Sequence, residues 1–247
     1  MFSYAARRRR RWRRRRRLAY LAVAGLALTI AAQHAAHPHQ PAIPPQARPA
    51  AHAHRSTPPA RVVSAKGLHW LDFHGIQLPV SATAGPHHLR NALARGFTDT
   101  PSGTVLAAVN IAVRTAAQWG PRIFTAVIRG QVTGPDAAAL LANCQAYYDQ
   151  ARQAAGVTGG RPLGGVDVAE QAFRWVAYTP AAAIVDLVSA GPGAQGTTIR
   201  ASTQIQVIWD GGDWKVIAPP GGNWGNSAAG LPSLAGYTLF PGQGGER

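Results

Sequence analysis

Residues 198–217 read TIRASTQIQVIWDGGDWKVI, and this stretch decides the fold class. Ile199, Ala201, Thr203, Ile205, Val207 and Trp209 fall on one side of a period of two. Arg200, Ser202, Gln204 and Gln206 fall on the other. Successive side chains of a strand point to opposite faces, so this alternation predicts a strand with one buried and one solvated face. Asp210-Gly211-Gly212-Asp213 then reverses the chain into Trp214-Lys215-Val216-Ile217, because glycine reaches the positive φ that a tight hairpin turn requires. Upstream, Phe173, Trp175 and Ala177 alternate with Arg174, Val176 and Tyr178. Pro180 separates them from Ala183–Val188, an apolar run suited to a central strand.

The period before residue 160 is different. Thr100 and Ser102 offer N-cap oxygens, and Val105, Ala108, Val109, Ala112, Ala116 and Trp119 recur at helical spacing up to Gly120-Pro121. Asn110 and Arg114, four apart on its more polar side, are expected on a solvated face. Residues 122–129 carry Ile123, Phe124, Val127 and Ile128 and fit either a short buried helix or a strand. A second helix is expected from Thr133 to about Ala155, with Thr133 and Asp136 as a capping box, Pro135 in the first turn and Gly156 as the stop. Ala137, Leu140, Leu141, Cys144, Tyr147, Tyr148 and Ala151 make its apolar stripe. Cys144 therefore reads as a small buried hydrophobe. Leu68–Phe73 and Ile76–Val80 read as an edge strand or extended arm, since Pro79 cannot donate within a central strand. Helices followed by antiparallel strands specify an α+β domain, with helices packed on a curved antiparallel sheet.

Of the 247 residues, 25 are Lys or Arg and ten are Asp or Glu. The charge is uneven: Arg7, Arg8, Arg9, Arg10, Arg11, Arg13, Arg14, Arg15, Arg16 and Arg17 form one block, and no acidic residue precedes Asp72. Without that block the chain is nearly balanced, so the high pI describes residues 1–17. The block abuts Leu18–Ala32, which holds no charge. A basic cluster before an apolar stretch retains an N-terminus on the cytoplasmic face and meets anionic lipid headgroups. Residues 18–36 are therefore expected to form a transmembrane signal anchor, with a cleaved signal peptide as the alternative. Binding of nucleic acid by the same arginines is the lesser reading. Residues 33–62 hold seven prolines and five histidines and predict a disordered Pro/His/Ala-rich linker. Residues 63–242 are left as one extracytoplasmic domain. With Cys144 as the single cysteine, an intrachain disulfide and a CxxC site are excluded. No cofactor or metal constellation is evident. For acid–base chemistry the nearest carboxylates are Asp167, Glu170 and Asp186. Asp186 is the pocket candidate, a charge inside the apolar run Ile184–Val188.

Trp209-Asp210-Gly211-Gly212-Asp213-Trp214-Lys215-Val216 closing such a sheet resembles the nuclear transport factor 2-like (cystatin-like) cone fold. The wider pattern comprises Gly96-Phe97 to Thr100-Pro101 before Ala107-Ala108, that hairpin, Pro219-Pro220-Gly221-Gly222, Leu234-Ala235-Gly236-Tyr237 and Phe240-Pro241-Gly242. It resembles a family of actinobacterial membrane-anchored proteins of unassigned role, associated with integrative conjugative elements. Type IV secretion assembly factors share the layout of cytoplasmic tail, one membrane helix and external cone-fold domain. The resemblance implies a scaffold or accessory protein of a cell-envelope apparatus, not an enzyme, whose partners are other envelope proteins or further copies of itself. A small-ligand binder or enzyme using the hollow of the cone is the alternative.

Overall fold

The computed structural model describes residues 67–165 and 167–242. The arginine block Arg7–Arg17, the anchor at 18–36 and the linker at 33–62 lie outside these residues. The hairpin anticipated at Gly211-Gly212 is present: β8 (Thr198–Asp210) pairs antiparallel with β9 (Asp213–Ile217), and both turn glycines have positive φ, 63° and 86°. Ala201, Thr203, Ile205 and Val207 are buried, while Gln204 and Gln206 are exposed. Ile199 lies too near the strand end to be covered and is exposed.

β6 (Ala169–Tyr178), β7 (Ala182–Pro192) and β8 form the centre of a seven-stranded sheet in the order β11–β6–β7–β8–β9–β5, with β10 (Ala228–Gly230) also on β8 and β11 (Thr238–Leu239) on β6. All pairs are antiparallel except β5 (Val132–Thr133) with β9. A β-bulge between Trp175 and Ala177 breaks the alternation expected in β6: Trp175 pairs with Val185 and Tyr178 with Ala183. Tyr178 therefore rejoins the face of Phe173 and Trp175, and its ring packs on that of Trp175 with centroids 4.9 Å apart.

Three helices pack on the sheet. α1 (Pro101–Arg114) starts at Thr100, whose side chain accepts from the Gly103 N–H, and runs directly over β7–β9. Trp119 belongs to a separate 3-10 turn, Ala117–Trp119. Residues 122–129 resolve as helix, inside α2 (Pro121–Gln131), with Phe124, Val127, Ile128 and Gln131 turned inward. α3 (Ala137–Ala155) begins later than the capping-box reading placed it. Thr133 is part of β5, where the Ala218 N–H donates to its carbonyl at 2.9 Å, so it cannot cap a helix. Asp136 takes the cap position without a side-chain bond, and Gly156 ends the helix in the left-handed conformation at φ 66°.

The clearest correction concerns α1. Every residue from Gly103 to Arg114 is buried, Asn110 and Arg114 included. β2 (Ile76–Ser81), paired with β1 (Leu68–Phe73) in a hairpin of its own, covers the side of α1 on which those two residues lie. The chain between them and α1 adds a second small hairpin of β3 (His88–Arg90) and β4 (Leu93–Arg95). One core holds Trp119, Trp214, Phe124, Phe173, Leu106, Ile111 and Ile205, all fully buried, with Trp119 against Phe73 and His74 of the β1–β2 hairpin and Phe124 against Tyr148 of α3.

Candidate functional site

Asp186 is buried at 3% exposure, but not between sheet and helices. Val185 and Leu187 on either side of it join the helix-side core, so the pleat turns Asp186 to the opposite face. There it is opposite Arg174 on β6 and Gln204 on β8. Arg174 Nη2 donates to Asp186 Oδ2 at 2.7 Å, and the Tyr237 hydroxyl donates to the same oxygen at 2.6 Å. The Arg174 guanidinium also stands 4.5 Å from the centroid of the Tyr237 ring. Asp186 Oδ1 is buried and receives no hydrogen bond. Burial, then the bond to Asp186, pushes the Tyr237 phenol above its ordinary range.

Tyr237 reaches this carboxylate because of how the chain ends. β10 pairs with β8 and β11 with β6, on opposite flanks of the three central strands. The seven residues from Leu231 to Tyr237 must therefore cross the face of β8, β7 and β6. Val188 and Ala172, which share the face of Asp186, are fully buried although no helix lies on that side; the crossing segment covers them. Leu231 N–H to the Arg200 carbonyl fastens one end at 2.9 Å, and Phe240 N–H to the Gln171 carbonyl fastens the other at 2.9 Å.

The other two carboxylates lie elsewhere. Asp167 is exposed in the loop before β6. Glu170 is 1% exposed and faces the helix side, accepting from the Ser189 hydroxyl at 2.8 Å. Burial pushes its carboxyl up to about 7, against the opposing effect of the Ser189 bond. Asp167, Glu170 and Asp186 thus form no common acid–base site. Among the described residues no three His, Cys, Asp or Glu side chains converge as metal ligands would. Cys144 is partly buried in the stripe of α3, and burial raises its thiol to about 12, the reverse of what a nucleophile needs.

Three further polar groups were not legible as special in the sequence. Arg114 is 2% exposed and has no carboxylate partner among the described residues. Its Nη1 donates to the Asn110 carbonyl at 2.9 Å and to Asn110 Oδ1 at 2.6 Å, and its guanidinium lies 4.5 Å over the Phe73 ring. Asn110 in turn donates to the Pro79 carbonyl at 2.8 Å, tying α1 to β2. Desolvation lowers the Arg114 guanidinium to about 10, so it stays charged at neutral pH. Asp213 does more than make a turn. Its carboxylate accepts from the Gly96 N–H at 2.9 Å and the Phe97 N–H at 3.1 Å, fastening the β8–β9 hairpin to the segment before α1. Trp175 Nε1 is buried without a partner, whereas the indoles of Trp119, Trp214 and Trp224 all donate.

The family model described as a domain of unknown function, DUF8175, matches residues 31–239. No curated protein and no solved structure matches the chain significantly.

Proposed function

The chain belongs to the DUF8175 family, a domain of unknown function; we propose that it is a membrane-anchored extracytoplasmic scaffold or accessory protein of a cell-envelope apparatus of the conjugation or type IV secretion kind. The observation that carries this reading is the interior. Phe173, Ile205, Val207 and Trp214 are buried on the helix-covered face of the sheet, where a cone-fold enzyme would seat its substrate. The carboxylates Asp167, Glu170 and Asp186 are dispersed over a loop and the two faces of the sheet. A domain built this way acts through its surface. No helix among the described residues is long and apolar enough to cross a membrane, so in this reading the anchor is the segment 18–36, with the Arg7–Arg17 block on the cytoplasmic side. The helix-covered antiparallel sheet is read as the cone of a nuclear transport factor 2-like fold.

Crosslinking in native membranes, followed by identification of the captured proteins, tests the reading. Components of a transfer or secretion apparatus are expected in the adducts. Recovery of none of them, or release of the full chain by alkaline extraction, sinks it. A ligand-binding alternative is favoured by one observation, the unpartnered Asp186 Oδ1 beneath the crossing segment. A small molecule bound there would be released by Asp186→Asn.

A further inference from the structure

Acidic residues are unevenly placed in the domain. Between Phe73 and Pro135 the sequence holds one carboxylate, Asp99, against Arg90, Arg95, Arg114, Arg122 and Arg129 and the histidines His74, His87 and His88. Arg114 is buried as described. Asp99 lies toward Tyr178 of the sheet. The four other arginines are exposed, and among the described residues none of them is ion-paired.

Folding brings these four onto one surface. The Gln131 side chain pairs with both backbone groups of Ala94, accepting from its N–H at 3.3 Å and donating to its carbonyl, which lays the β3–β4 hairpin on the C-terminal end of α2. Arg95 Nη2 donates to the Gly130 carbonyl at 3.3 Å, beside Arg129. Arg122 and Arg129 are seven residues apart and share the helix face opposite Phe124, Val127 and Ile128. At the hairpin tip Asn91 and Ala92 have φ of 52° and 69°, a left-handed reversal that an alanine adopts only under strain. It pairs Arg90 with Leu93 and His88 with Arg95, so that Arg90 and Arg95 share one face of the hairpin.

We propose that this surface, the β3–β4 hairpin with the outer face of α2, docks the domain on the anionic phospholipid headgroups of the bilayer. Arg90, Arg95, Arg122 and Arg129 meet the phosphates. The proposal rests on the membrane-anchored reading above, in which the domain is tethered beside its own membrane. Charge complementarity selects an anionic partner. Among the described residues no aromatic side chain is found with the exposed large hydrophobics, Leu89, Val176, Ile199 and Leu239, which disfavours single-stranded nucleic acid on this surface, since that ligand binds by stacking.

The test uses the full chain with vesicles of phosphatidylcholine alone or with phosphatidylglycerol added, reading amide hydrogen exchange over residues 88–95 and 121–131. Protection of these segments is expected to rise by about fivefold or more on the anionic vesicles only, and to fade at high salt. The triple variant R90E/R122E/R129E keeps the Arg95 bond to Gly130 and is expected to lose that protection while melting like the parent. Because the arginine block is present in both proteins, it cannot produce a difference confined to these segments. Alkaline extraction reads anchorage separately, so loss of anchorage removes the function proposed above without deciding the docking. Equal exchange on neutral and anionic vesicles overturns the docking whether or not the chain is anchored. Protection by a single-stranded oligonucleotide and not by anionic vesicles also overturns it, and reassigns the surface to nucleic acid.

Discussion

Glu170 illustrates what one buried group does to the stability of the domain. Its carboxyl is raised from 4.5 to about 7 by burial, so the folded chain holds a proton that the unfolded chain has lost across that window. Stability therefore falls as pH rises from about 4.5 through about 7, and levels off above. Glu170→Gln keeps an acceptor for the Ser189 hydroxyl and removes the charge. At about pH 8 the variant should be more stable than the parent by on the order of 3 kcal/mol, and the two should converge below about pH 4.5. Urea midpoints measured across this range check it; parallel profiles would reject a buried proton at Glu170. Arg114 shows the same physics with the opposite charge. Lacking a carboxylate, it is held by Asn110 and the face of Phe73, and it lies in the last turn of α1, where the helix dipole favours a cation. The sequence marks both residues as polar and four apart. Nothing in that spacing says whether β2 will cover them.

Among the elements, the crossing segment from Leu231 to Tyr237 is the one whose loss is most local. It carries no regular structure of its own and is held by short pairings at β10 and β11 and by the Tyr237 bond to Asp186. Tyr237→Phe removes a hydrogen bond to a charged group, expected to cost about 1.5–3 kcal/mol. Amide exchange over residues 228–239 should accelerate while α1 keeps its protection. Equal acceleration throughout would mean that the segment is not a separate unit. α1, the body of α3 and the β8–β9 hairpin were readable because each has a local signal: a cap, a period or a pair of glycines. The β6 bulge and the late start of α3 were not, since both depend on a neighbouring strand. Thr133 is a sound cap by its own chemistry, and pairing with β9 puts it to other use.

At the scale of the whole molecule the two ends of the domain are fastened together. Phe240 packs on Phe173 of the sheet, at 5.2 Å between centroids, and on Trp70 of β1, at 6.1 Å. Trp70 Nε1 also donates to the Pro241 carbonyl at 3.0 Å. Phe240→Ala should cost about 3–5 kcal/mol, as for other buried aromatic truncations. It should also strip exchange protection from Leu68–Ser81, more than one hundred and fifty residues away in sequence. Retention of that protection in the variant would show the β1–β2 hairpin to be held by α1 alone. Phe240 lies in a segment without regular periodicity, so its neighbours do not tell how deeply its apolar ring is buried.

The sequence by itself determined α1, the body of α3, the central strands, the α+β class, the β8–β9 hairpin and the concentration of charge in Arg7–Arg17, while it left residues 122–129 open between helix and strand. These follow from short-range periodicity, turn chemistry and composition, which act within a few residues. Only the tertiary structure decided which face of the sheet Asp186 occupies, that Glu170 is buried with Ser189, that Asn110 and Arg114 are enclosed, and that four arginines from a hairpin and a helix share one surface. Each of these depends on an element distant in sequence arriving to cover or adjoin the residue. Alternation tells that a strand has two faces; the packing of the helices on one and of residues 231–237 on the other tells which is which.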